Sequence, residues 1–153
     1  MKLISPAFEN NGKIPSKYTC DGNNMNPELI IRDVPENSES LVLIMDDPDI
    51  PDFVKQRIGV DVWVHWIVFN IPTNIIKVEE GKEPKGILGK NSENKLGYGG
   101  PCPPDKEHRY FFKLYALDIK LNLKEGSSKE EVKNAMKGHI LDKAELVGRH
   151  ERN

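Results

Sequence analysis

An all-β sandwich with a few short peripheral helices is the fold class this sequence predicts, and three features predict it. Runs rich in β-branched and aromatic residues recur at 28–34, 41–45, 62–71 and 109–119, and Gly, Pro or Asn clusters separate most of them. The run at 62–71 is apolar on both faces, as a covered strand must be. Only one stretch carries a full set of helix signals. At 153 residues, with no internal repeat and no shift in composition, the chain fits a single domain spanning 1–153 that buries a core without staples.

Taken in order, ELIIRDV (28–34) and LVLIM (41–45) read as strands. LVLI runs directly into MDDPDIP, where Pro48 and Pro51 disfavour the helical region for Asp47 and Ile50. If the extended geometry carries through, Asp47 and Asp49 project to the same side. VWVHWIVFNI (62–71) alternates Val62, Val64, Trp66 and Val68 with Trp63, His65, Ile67 and Phe69, and is expected to be a central, covered strand. Residues 77–99, charged and rich in Gly, Lys and Asn, read as a long surface loop. RYFFKLYALDI (109–119) is the fourth strand. In SSKEEVKNAMKGHI, Ser127 and Ser128 are candidate N-caps, each with a Glu three residues on. Val132, Ala135 and Met136 share a face there, and Gly138 is placed to stop the helix. AELVGRHE (144–151) returns as a short strand.

Charge restricts the function. Twenty-two Lys and Arg against 24 Asp and Glu leave a net charge of −2, which offers no global field for nucleic acid or an anionic membrane, so any anion site has to be local. The opening MKLISPAF breaks at Pro6, too soon for a signal h-region, and no run approaches a membrane span. A soluble cytoplasmic protein is expected. Cys20 and Cys102 lie far apart outside any Cys-x-x-Cys pattern, and with no export signal free thiols are the expected state.

Candidate chemistry gathers at strand ends. In GYGGPCPPDKEHRY a Gly/Pro run leads to His108 and Tyr110, which are two apart and share a face. Glycines allow close approach to a ligand and a nest of free N–H groups, and prolines hold such a loop in shape. Backbone N–H, imidazole and phenol donors together suit phosphate or carboxylate oxygens, and His65 adds a second imidazole.

DPDIP, WVHWIVFNIP and GYGGPCPPDKEHRY, with YTCDGNNMNPEL upstream and KGHILDKAELVGRHER at the end, resemble the phosphatidylethanolamine-binding protein family, also called Raf kinase inhibitor proteins, in its compact bacterial and archaeal form. The resemblance covers residues 5–152. It implies two antiparallel Greek-key sheets and a shallow anion pocket for phosphate or a phosphorylated headgroup, without a cofactor. By this resemblance the pocket falls on Asp47, Asp49, Pro51, His65, Gly100, Pro101, His108 and Tyr110. Asp47 is then expected to favour the charged form of His65 or His108 from ~4–6 Å, and Asp49 to brace the loop or receive an ammonium group. Val64 stands where many eukaryotic members carry a second His, and the longer C-terminal helix of those members is missing, so phospholipid extraction is not expected.

The leading functional reading is an anion-binding module that recognises phosphorylated partners, with regulation of a kinase or protease as its extension and a homodimer as a further expectation. One alternative is a metal-dependent or hydrolytic enzyme using Asp47, Asp49, His65 and His108. The other is a serine protease inhibitor acting through the 77–99 loop. An EF-hand reading of DDPDIPDFVKQRI fails, because counting from Asp47 puts Asp52 where Gly is needed and Ile58 where the bidentate Glu belongs.

Overall fold

The computed structural model describes residues 1–152. In chain order the elements are β1 (Lys2–Ile4), β2 (Gly12–Lys13), a 3₁₀ turn (Ser16–Tyr18), β3 (Leu29–Arg32), β4 (Ser40–Asp47), α1 (Asp52–Ile58), β5 (Trp63–Ile71), β6 (Lys77–Val78), β7 (Ile87–Leu88), β8 (His108–Leu117), α2 (Lys129–Met136) and β9 (Ile140–His150). They form a three-stranded sheet, β1-β3-β6, and a six-stranded sheet, β2-β9-β8-β4-β5-β7. All pairings are antiparallel except β2 with β9. In the larger sheet β8 returns by a long connection to lie beside β4, giving the order β8-β4-β5-β7 of a Greek key.

Two apolar layers flank the larger sheet, which explains why β4 is buried along its whole length. Leu41, Leu43 and Met45 face the smaller sheet, together with Trp66, Val68, Phe112 and Leu114. Val42 and Ile44 face the other way with Ile67 and Phe69, and Val132 and Met136 of α2 close that side. Period-two alternation alone assigns these faces.

The helix at 129–136 starts as its sequence signals. Ser128 Oγ accepts from Glu131 N at 3.1 Å, and Glu131 Oε1 accepts from Ser128 N at 3.1 Å, a reciprocal capping box. Ser128→Ala removes one of those bonds and is expected to cost about 1 kcal/mol, read as a lowered midpoint in urea at an unchanged slope; an unchanged midpoint overturns the assignment.

Several expectations are corrected. The strand at 62–71 is covered on both faces and paired on both edges, by β4 and by the two-residue β7, as expected of a central strand, although it stands second from the end of the sheet. Residues 77–99 are not one loop: β6 joins the smaller sheet, β7 the larger, and Lys90 bridges to Leu96. The last strand runs eleven residues, where a short strand was expected, and His150 is buried at its end with Nε2 3.1 Å from Asp21 Oδ2. His139 lies at the surface, 2.8 Å from Asp118 Oδ1. The short helix α1 was not signalled in the sequence; it ends on Gly59 in the left-handed region (φ 69°). Cys20 and Cys102 are not free thiols but form a disulfide across 82 residues. Among the described residues no helix is long and apolar enough to cross a membrane.

Candidate functional site

Antiparallel pairing brings the C-terminal end of β4 beside the N-terminal ends of β5 and β8: Asp47 lies opposite Trp63, and Asp46 opposite Phe111. The strand that ends in carboxylates therefore meets the strands that begin with the imidazoles. Chain 99–104 folds over this corner, held by Cys20 N donating to Pro101 O at 3.1 Å and by the disulfide at Cys102. Between them lies a cavity of about 310 Å³.

His65 reaches this cavity because of a bulge. Met45 pairs with Trp66 but Asp46 pairs with Val64, so His65 is the extra residue on β5. Strict alternation puts His65 with Ile67 and Phe69 on the α2 side. The bulge swings it to the opposite face, where its ring meets Tyr110 edge-on at 5.2 Å. Tyr110 in turn stacks on His108 at 6.4 Å, the shared face expected of residues two apart.

Most polar side-chain atoms here have a defined partner, and one that is sealed from solvent, the Tyr110 hydroxyl, has none among the described residues. His65 Nδ1 donates to Gly99 O at 2.7 Å. Burial pushes the His65 imidazole down to about 4, against the opposing pull of that hydrogen bond. His65 is therefore neutral near pH 7, because loss of hydration outweighs the nearby carboxylates, so of the two histidines named as candidates for Asp47 it is not His65 that is charged. The residue Asp47 does engage is His108: Nδ1 lies 2.6 Å from Asp47 Oδ2, and Nε2 lies 2.6 Å from Asp105 Oδ1. An ionised carboxylate only accepts, so each contact with one is a hydrogen bond where the ring nitrogen it meets carries hydrogen. Burial raises the Asp47 carboxyl, with the His108 hydrogen bond opposing; the same kind of bond from His108 lowers Asp105. At Tyr110, burial and then Asp47 hold the phenol far above its usual range, so it remains a donor.

Of the residues the sequence singled out, Asp47, Pro51, His65, Gly100, His108 and Tyr110 line the cavity, and Asp49 and Pro101 do not. Asp49 N donates to Asp47 Oδ1 at 2.7 Å, turning the chain there. The Asp49 carboxylate accepts from Arg109 N, Nε and Nη2, all at 2.9 Å, and those bonds lower its pKa. It braces the loop and does not await an ammonium group. The expected nest is also mostly spent. Gly99 N donates to His65 O and Gly100 N to Asn24 Oδ1, leaving Cys102 N–H as the amide of 99–104 without an acceptor among the described residues. Gly100 is glycine because a Cβ would collide with Asn24 Oδ1 and the Tyr18 carbonyl. Trp63 and Glu93 line the cavity and were missed. Trp63 was findable, two before His65 on one strand; Glu93 carries no sequence signal.

Asp46, the remaining aspartate of MDDPDIP, faces away from the cavity and pairs with Lys129 at 2.9 Å and Lys113 at 3.2 Å. The two-His, two-carboxylate centre is not assembled: Asp49 is turned to Arg109 and His65 Nδ1 to a carbonyl. Among the described residues no three His, Cys, Asp or Glu side chains converge as a metal-holding group.

Comparisons with known proteins place the chain among proteins of this fold. The family model for phosphatidylethanolamine-binding protein matches residues 4–151. A UPF0098 protein of Methanothermobacter thermautotrophicus is 48% identical over 99% of both chains, and one of Chlamydia pneumoniae is 44% identical over 100% of both. Among solved structures, a phosphatidylethanolamine-binding protein homolog from Chlamydia trachomatis superposes with a TM-score of 0.94 at 43% identity, covering 99% of this chain and 97% of its own. YbcL of E. coli, described as a member of the mammalian family, superposes with a TM-score of 0.87 at 28% identity over 99% and 98%.

Proposed function

The chain belongs to the phosphatidylethanolamine-binding protein family, and on that premise we propose that it is a binding protein for a small phosphorylated anion, held in the cavity between His65, His108 and Tyr110. The observation that carries this reading is the Tyr110 hydroxyl, buried and unpartnered at the cavity wall. An unsatisfied buried hydroxyl costs ~1–3 kcal/mol, and an oxygen of a ligand in the cavity relieves it once a small side-chain shift at the wall uncovers the hydroxyl. A rigid frame supports it: prolines at 101, 103 and 104, the disulfide, and the Asp49–Arg109 clamp hold the walls without the ligand. Regulation of a kinase or protease is the extension of this reading, through recognition of a phosphorylated group on the partner.

Tyr110→Phe tests it with two readouts of opposite sign. Inorganic phosphate, titrated by calorimetry or by NMR shifts of the His65 and Tyr110 neighbourhood, is expected to bind with a dissociation constant on the order of 1 mM. The variant is expected to bind about fivefold more weakly, for a hydrogen bond worth ~1 kcal/mol. Its melting temperature should stay level or rise, because the orphaned hydroxyl is gone. Phosphate that leaves these resonances unmoved, or a variant that binds like the parent, overturns the assignment.

A further inference from the structure

We infer that the cavity takes its anion with a proton attached: the occupant is an acid in its hydrogen-bearing form, a phosphomonoester monoanion whose P–OH donates to His65 Nε2. This rests on the anion-site reading above and narrows it to one ionic form.

The tautomer of His65 is the first ground. Gly99 O only accepts, so the 2.7 Å contact places the hydrogen on Nδ1. Gly99 N returns a bond to His65 O at 2.9 Å, so ring and loop are fixed to each other. Among the described residues Nε2 has no protein partner, and, unlike the Tyr110 hydroxyl, it is not a sealed atom, although the residue is 6% exposed. In the neutral ring this nitrogen shows the cavity a lone pair. The depressed imidazole, pushed down to about 4 by burial, keeps it so at neutral pH.

The second ground is the balance of donors and charge around it. No Lys or Arg lines the cavity. Both nitrogens of His108 are committed to Asp47 and Asp105, and Arg109 is turned onto Asp49. The charged and titratable groups around His65 are Asp47 from β4, His108 and Tyr110 from β8 and Glu93 at the cavity wall, with Asp46 acting from the other face of β4. A dianion placed here would meet a lone pair and carboxylates with few donors. The monoanion of a monoester offers one hydroxyl to the acceptor and carries half the charge. A phosphodiester has the same single charge but no P–OH to give.

That difference makes the test. Methyl phosphate and dimethyl phosphate are titrated into the wild-type protein from pH 5.5 to 8. The second ionisation of a phosphomonoester lies near 6, so methyl phosphate loses its proton across this range, whereas dimethyl phosphate stays a monoanion throughout. Expected are an affinity for methyl phosphate about tenfold above that for dimethyl phosphate at pH 5.5, a fall of about tenfold per pH unit above the ligand's ionisation, and a flat, weak profile for the diester. Calorimetry in buffers of different ionisation enthalpy should show uptake of close to one proton at pH 7.5. Equal affinities at pH 5.5, or a flat methyl phosphate profile, overturn the proton requirement and leave the anion site standing. A diester affinity that falls in parallel makes His65 the protonated donor and overturns it too. If neither ligand binds, the anion site fails and this inference fails with it.

Discussion

Replacing Cys20 and Cys102 together by Ser is expected to lower the thermal midpoint by about 10 °C. The bridge closes a loop of 82 residues that joins the segment after the 3₁₀ turn to the wall of the cavity. In the chain-entropy account a loop of this size stabilises by roughly 4 kcal/mol, and a domain of about 150 residues shifts by ~2–4 °C per kcal/mol. A reductant should move the wild-type melt toward that of the double variant and leave the variant's own melt in place. Phosphate binding at 25 °C should weaken in the variant, because the chain carrying Gly100, Pro103 and Pro104 then keeps its link to the N-terminal segment only through hydrogen bonds such as Cys20 N to Pro101 O. Two titratable thiols in the unreduced wild-type protein, with a melt indifferent to reductant, would mean that the bridge does not form.

Acidification is expected to remove about 3 kcal/mol of stability between pH 6.5 and 4 through His65 alone. The sign follows from proton binding. The imidazole is near 6.5 in the unfolded chain and about 4 when folded, so in this window the unfolded chain binds the extra proton and stability rises with pH. Its contribution is complete above 6.5 and is lost as pH falls toward 4. The gap of about 2.5 units at ~1.4 kcal/mol each sets the size. Asp47 has the opposite sign, since burial raises its carboxyl and its contribution is lost as pH rises. Comparing wild type with His65→Gln removes that background, as both retain Asp47. Urea midpoints for the two proteins should converge as pH falls from 7 to 4; curves that stay parallel would show that His65 titrates alike in both states.

Several parts of this protein were legible without a structure, because they depend on neighbours in sequence. The apolar alternation of the four main strands, the capping box at Ser128 and the pairing of His108 and Tyr110 on one face all follow from local geometry. So did the gathering of chemistry at strand ends, although identifying those ends as one cavity drew on a resemblance spread over blocks of sequence. Other features belong to contacts across the chain. The two-residue strands β6 and β7 carry too few residues for a period and exist because a sheet edge was open to them. The disulfide needed Cys20 and Cys102 brought to a Cα separation of 5.4 Å, which no spacing announces. Asp49 became a clamp because Arg109 begins the strand beside it.

The largest divergence is at His65. The sequence by itself determined that an imidazole stands in an apolar strand, two residues after Trp63. Tertiary structure decided the rest: a bulge opposite Asp46 turned the ring onto Tyr110, the Gly99 carbonyl took its Nδ1 hydrogen, and burial kept the other nitrogen unprotonated. A side chain's type is written in the sequence, whereas its facing, tautomer and charge depend on strand register and on the desolvation that packing imposes, and both arise only when distant segments meet.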